Sequence, residues 1–156
     1  IEKGFKGALT NGVLAGFPME NLKVTLTDGS FHPVDSDALS FESCASIAFK
    51  AAGQKAGAVL MEPIMKVEVQ CPDVYLGDVT GDLNKKSSIL REVTADMGFQ
   101  VVKADVPLAE MFGYITTLRS LSSGRANFTM ELGYYAPVPE AIAEVVIKKA
   151  KGLLFI

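Results

Sequence analysis

Residues 111–131 read Met-Phe-Gly-Tyr-Ile-Thr-Thr-Leu-Arg-Ser-Leu-Ser-Ser-Gly-Arg-Ala-Asn-Phe-Thr-Met-Glu. Leu108, Met111, Phe112, Ile115 and Leu118 recur at steps of three and four, which predicts a helix with one buried stripe. Pro107 opens that helix at the position where a missing N–H costs nothing. Beyond it, Ala126, Phe128, Met130 and Leu132 alternate with Asn127, Thr129 and Glu131, the period of a strand with one covered face. Between helix and strand lies a basic, hydroxyl-rich turn of Arg119, Ser120, Ser122, Ser123, Gly124 and Arg125. Such a turn suits a surface that holds phosphates better than one that transforms a small substrate.

The same two periods recur upstream. Residues 99–106 alternate as a strand, and Asp96-Met97-Gly98 links them to a second strand over residues 88–95. Leu76, Val79 and Leu83 mark a short helix, which Gly77 and Gly81 weaken by up to about 1 kcal/mol each relative to Ala. Met65, Val67, Val69 and Cys71 alternate with Lys66, Glu68 and Gln70 in a further strand. The order β-α-β-β-α-β over residues 64–135 predicts a ferredoxin-like, split βαβ sandwich in an α+β chain. Residues 62–137 are its expected extent, enough to fold as a small unit.

Residues 1–61 offer less. Ile1, Phe5 and Ala8 space as a helix, while Leu22, Val24 and Leu26 alternate as a strand over residues 21–27 that ends at Asp28-Gly29. A second helix is expected to bury Cys44, Ile47, Ala48, Ala51 and Ala52, with Lys50, Gln54 and Lys55 outward. Glu42 is read in its first turn and Gly57 as its stop. A lone strand between two helices cannot close a core. Residues 134–139 read as a proline-containing linker. The last helix, residues 140–154 with Ile142, Val145, Val146 and Ala150, is therefore expected to cover the first half. The start at Ile1, without Met and within a helical pattern, is read as the start of an excised piece.

The 156 residues are 49% hydrophobic and 21% charged, a globular balance. No apolar run approaches the roughly 20 residues of a membrane span, and no secretory leader pattern opens the chain. Cys44 and Cys71, without a CxxC, read as buried, reduced thiols of a cytoplasmic protein. A net charge of −3 excludes a generally basic nucleic-acid coat, so any RNA contact is local. Phosphate-cradle, nucleophile-elbow and dinucleotide motifs do not occur, which excludes nucleotide hydrolysis by these residues.

His32 is the single histidine. With Asp35 and Asp37 it could form a metal or general-base site, but one loop supplies all three and no second imidazole exists. It could equally be a solvated turn residue, or an exposed group that bonds to RNA. Arg119 and Arg125, and a second cluster of Lys85, Lys86 and Arg91, could grip phosphate or simply complement helix ends.

Several blocks in one order carry a resemblance: Gly29-Ser-Phe-His-Pro-Val-Asp-Ser36, Ala45-Ser-Ile-Ala-Phe-Lys50, Leu60-Met-Glu-Pro-Ile-Met-Lys-Val-Glu68, Gly77-Asp-Val-Thr-Gly-Asp-Leu83 and Val106-Pro-Leu-Ala-Glu-Met-Phe-Gly-Tyr114. Running on through Arg119 to Arg125, these resemble the C-terminal part of bacterial translation elongation factor G over essentially the whole chain. The resemblance implies that residues 1–61 are the later part of a fourth domain similar to ribosomal protein S5 domain 2, completed by helix 138–156. It implies that residues 62–137 are the ferredoxin-like fifth domain. Gly29, Ser30, His32, Pro33, Asp35 and Ser36 then match the tip loop that meets tRNA and mRNA in the small-subunit decoding region. Pro33 stands where the family varies, and Asp37 replaces a frequent serine.

Lys85, Lys86, Arg119, Ser120, Ser122, Ser123, Gly124 and Arg125 become candidates for large-subunit RNA near the sarcin–ricin loop and stalk base. The implied fragment is a monomeric, non-enzymatic ribosome ligand without a cofactor or metal; GTP and Mg belong to a domain outside it. Alternatives are a ribosome-recycling or tetracycline-protection paralogue, a free-standing RNA-binding module, and a metal-dependent hydrolase built on His32, Asp35 and Asp37.

Overall fold

The computed structural model describes residues 1–153. The chain divides into two compact units, Ile1–Leu60 with the segment from Val138 onward, and Met61–Pro137.

The second unit has the expected order. Strand β1 (Met61–Pro72) leads to α3 (Leu76–Lys85), β2 (Ile89–Asp96), β3 (Phe99–Pro107), α4 (Tyr114–Leu121) and β4 (Asn127–Pro137), following α1 (Glu2–Leu9) and α2 (Ala38–Lys55) of the first unit. The sheet is four-stranded in the order β2-β3-β1-β4, with every pairing antiparallel. This is the ferredoxin-like arrangement. β1 is paired on both sides, and alternation sends Val67, Val69 and Cys71 to one face, where each is at most 1% exposed. Val79 and Leu83 of α3 and Tyr114 and Leu118 of α4 cover that face with Val102, Ala104 and Val106.

The β2–β3 link is a two-residue loop in which Met97 and Gly98 both take positive φ (45° and 85°), the geometry that matches strand twist. A bulge places Gly133 against β1. There a Cβ would come within 3.0 Å of Lys66 Cγ and 3.1 Å of the Ile64 carbonyl.

Residues 134–137, expected as linker, instead continue β4 and pair with the start of β1. The helix does not begin at Pro107, which ends β3. A single 3₁₀ turn follows at Leu108–Glu110, and Gly113 (φ 73°) restarts the chain into α4. This break shifts the helical phase, so Met111, Tyr114 and Leu118 are buried while Phe112 is 79% exposed and Ile115 faces largely outward. In β4, Ala126 and Phe128 turn inward as expected, but Met130 and Leu132 are exposed. β4 is an edge strand of eleven residues, and the eight residues of α4, about 12 Å long, cannot roof it.

In the first unit, α1 packs on α2 through Gly4 and Ala8 against Ala45 and Phe49. A Cβ on Gly4 would collide with the Glu42 carbonyl oxygen, so the close approach requires glycine. Phe5 and Phe49 rings lie 6.3 Å apart. The expected stripe of α2 is the wrong face: Cys44, Ile47, Ala48, Ala51 and Ala52 are exposed. Small apolar residues surround most of this helix, so spacing does not single out a side. Steric fit of Phe49 and Ala45 to α1 does. Glu42 lies beyond the first turn, 3.4 Å from Lys3, and Asp37 caps the helix instead. Gly57 (φ 75°) ends it as expected.

Residues 21–27 form no strand among the described residues, and Leu22, Val24 and Leu26 are all exposed. An alternating segment becomes a strand only where a neighbour takes its backbone hydrogen bonds. Helix α5 (Glu140–Ala150) belongs to this unit by its contacts, with Ala143, Val146 and Ile147 partly covered, whereas Ile142 and Val145 are exposed. The expected reach of this helix to Leu154, and of its segment to Ile156, lies outside the described residues.

Leu118→Ala should lower the unfolding free energy of the second unit by roughly 3 kcal/mol, because the side chain is wholly buried. Phe112→Ser should stay within about 0.5 kcal/mol. Denaturant titration separates the two, and equal losses would contradict this placement of α4.

Candidate nucleic-acid interface

The loop at residues 29–36 is exposed along almost its whole length, and two hydrogen bonds close it between His32 and Ser36. The His32 N–H donates to Ser36 Oγ at 2.7 Å, and the Ser36 N–H returns to the His32 carbonyl at 3.2 Å. Directly after it, the Asp37 carboxylate accepts the Ser40 N–H at 2.7 Å and fixes the loop to the first turn of α2. Hydrogen bonding from Ser40, through its hydroxyl first and this N–H second, holds the Asp37 carboxyl below its ordinary range. The cap is therefore intact at neutral pH and weakens as pH falls through the carboxylate range.

The imidazole of His32 thus projects from a short ring, with Gly29, Ser30, Pro33 and Asp35 exposed around it. Asp37 is committed to the cap, and His32, Asp35 and Asp37 do not converge: among the described residues no three such side chains could hold a metal. Phe31 (71% exposed) and Val34 (98%) flank His32 and were not singled out from sequence. The signal was present, since an aromatic ring in a polar loop has no core to serve.

The Arg119–Arg125 turn spends part of its expected phosphate-binding set on its own structure. Ser122 is fully buried, donating to the Leu118 carbonyl at 2.6 Å and accepting the Ala126 N–H at 3.1 Å. The Gly124 N–H bonds the Arg119 carbonyl and the Arg125 N–H bonds that of Ser122, both at 2.9 Å. Neither Ser122 nor these amides can bind a phosphate, because the helix end uses them. Arg119, Ser120, Ser123 and Arg125 remain exposed, and neither arginine enters an ion pair among the described residues.

The second basic cluster is not continuous with the first. The Lys86 ammonium lies 5.7 Å from the Tyr114 ring centroid, beside the start of α4, whereas Arg119–Arg125 closes its other end. Arg91 is not free either, since its guanidinium binds Asp105 Oδ2 at 2.5 and 2.8 Å. Lys85 is exposed at the end of α3.

The open face of the sheet is a shallow depression lined by Lys66, Glu68, Arg91, Lys103, Asp105 and Tyr134, among others. Several of its charges are paired. Lys103 meets Glu92 at 3.0 Å, while Arg91 and the Tyr134 hydroxyl both bond Asp105, which is 7% exposed. One tyrosine among partly paired charges does not make a single-strand RNA platform, which stacks bases on several rings. The arrangement can grip through two separate groups, the His32 loop and the exposed arginines, and provides no nucleophile–base pair.

Two family models match consecutive parts of the chain, the second running on into α5. Residues 1–57 match the family model for elongation factor G, domain IV, and residues 59–146 match that for the elongation factor G C-terminus. Elongation factor G of Cytophaga hutchinsonii is 55% identical over 152 residues, 97% of this chain and 22% of that protein. The Amoebophilus asiaticus elongation factor G is likewise 55% identical over 152 residues, 97% of this chain and 21% of its own length. A solved protein of Thermus thermophilus superposes with a TM-score of 0.85 at 38% identity, covering 97% of this chain and 23% of the other. The chain thus spans about a fifth of the length of the curated relatives it matches. With both family models accounting for nearly every residue, this chain belongs to the elongation factor G family, corresponding to its domain IV and C-terminal regions.

Proposed function

We propose that this chain is a ribosome-contacting part of a translation elongation factor G and promotes movement of tRNA and mRNA. In this role it enters the vacated A site. The observation that carries the reading is the exposed loop of residues 29–36, closed on itself between His32 and Ser36 and followed by the Asp37 cap of α2, in a chain of this family. Such a loop loses little conformational freedom on binding, so its contacts translate into affinity. His32 and Phe31 are the groups that would stack on or bond to the tRNA–mRNA duplex.

Binding that favours the advanced state over the retreated one shifts the population forward without any bond being made by these residues. Hydrolysis of GTP, with its Mg, is assigned to another domain of the complete factor, and the chain itself is not an enzyme. Arg119 and Arg125, with Ser120 and Ser123, are assigned to large-subunit RNA near the sarcin–ricin loop and stalk base. The complete factor acts as a cytoplasmic monomer. The relatives' shared name, at 55% identity, favours translocation over recycling or tetracycline protection.

His32→Ala in the complete factor should slow translocation roughly tenfold, the loss of about one hydrogen bond or stacking contact, while ribosome-stimulated GTP hydrolysis persists. Rapid-kinetic assays of both steps decide it, and lost hydrolysis with intact translocation would overturn the assignment. Arg119→Ala with Arg125→Ala should make the log–log salt dependence of ribosome binding shallower by about 1–2 units. Ser122→Ala should instead lower stability by about 1–2 kcal/mol and leave that slope unchanged. An unchanged slope in the double arginine variant removes the patch.

A further inference from the structure

The interior of the second unit carries two polar atoms without a hydrogen-bond partner among the described residues, the Tyr114 hydroxyl and Asp82 Oδ2. Both are enclosed by the unit itself. Tyr114 is 1% exposed at the start of α4 and meets the Phe128 ring edge-on, with centroids 5.0 Å apart. Asp82 stands on α3 between Val79 and Leu83, which share the core with Tyr114. Burial of this kind does not depend on what surrounds the unit in a longer protein.

The two groups face each other. Lys86, four residues after Asp82 and so on the same side of α3, holds its ammonium 5.7 Å from the Tyr114 ring centroid. Asp82 therefore lies one turn back along the side that meets the tyrosine. Burial first, then the Asp82 charge and Cys71, push the phenol well above its ordinary pKa. At neutral pH it is a donor beside a carboxylate acceptor, yet the two do not bond directly. Each atom left unpaired would cost about 1–3 kcal/mol, and buried hydroxyls of this kind find a partner.

We propose that one internal water molecule bridges Tyr114 Oη and Asp82 Oδ2. It accepts the phenolic hydrogen and donates one of its own to the carboxylate, so a single site satisfies both atoms. A metal ion does not fit the donor set, since no three His, Cys, Asp or Glu side chains converge there among the described residues. The bridge ties α3 to the start of α4. It thereby fixes the direction of an eight-residue helix whose far end carries Arg119.

The test uses the complete factor. A crystal structure at near-atomic resolution is expected to show a water within about 2.6–3.2 Å of both oxygens, and none there in Tyr114→Phe. Hydrogen exchange read by mass spectrometry reports the mechanical consequence. Tyr114→Phe, which keeps the ring, and Asp82→Ala are each expected to speed exchange of the α4 amides roughly tenfold. The double variant should exchange no faster than either, because both substitutions cut one bridge. Density with the two oxygens in direct contact, density with no water on the pair, or unchanged exchange in Tyr114→Phe overturns the proposal. So do effects that multiply in the double variant.

Discussion

The pairing of β1 with β3 on one side and β4 on the other holds the second unit together. It removes a whole row of backbone donors and acceptors from solvent. In the same stroke it fixes which side chains of β1 face the helices. With Val67, Val69 and Cys71 inward, a one-residue slip would turn Lys66, Glu68 and Gln70 into the core, so the register has no near competitor. α3 and α4 then have only one surface to cover, and the ends of both helices are positioned by that cover. The exposed arginines therefore sit on a turn whose own hydrogen bonds are complete: Ser122 and the amides at Gly124 and Arg125 finish the helix, and the side chains alone face outward.

The His32 loop follows the same logic on a smaller scaffold. Gly4 lets α1 approach α2 closely, and the Phe49 ring packs beside Phe5. Asp37 then joins the loop to the helix with one charge-assisted bond. In both places a closed set of backbone bonds presents a few unpaired side chains. Such a construction suits recognition, with rigidity supplied by the turn and specificity by what projects from it.

Most of the second unit was legible because its strands alternate cleanly and its turns carry strong local signals, Met97-Gly98 among them. The phase of α4 was not. Gly113 could be read equally as a tolerated helix glycine or as the left-handed break it is, and only packing of Tyr114 decided. The first unit was less legible for a different reason. Its second helix carries alanines on several sides, and residues 21–27 alternate without a partner, so period alone gave a face and a strand that tertiary contacts do not support. At the candidate interface, sequence pointed to the His32 loop and the two arginines. It could not separate a serine that binds a ligand from one that ends a helix, because both uses favour the same residue in the same turn.

Residues 29–36 are proposed to meet the decoding region when the complete factor is bound. Directed hydroxyl-radical probing tests it most directly, with an iron chelate tethered through Val34→Cys in a Cys44→Ser background, since Val34 is exposed and Cys44 is an exposed thiol. Strand scission confined to small-subunit RNA around the decoding region is the required result. Scission confined to large-subunit RNA, or none from a factor shown to be bound, would contradict it.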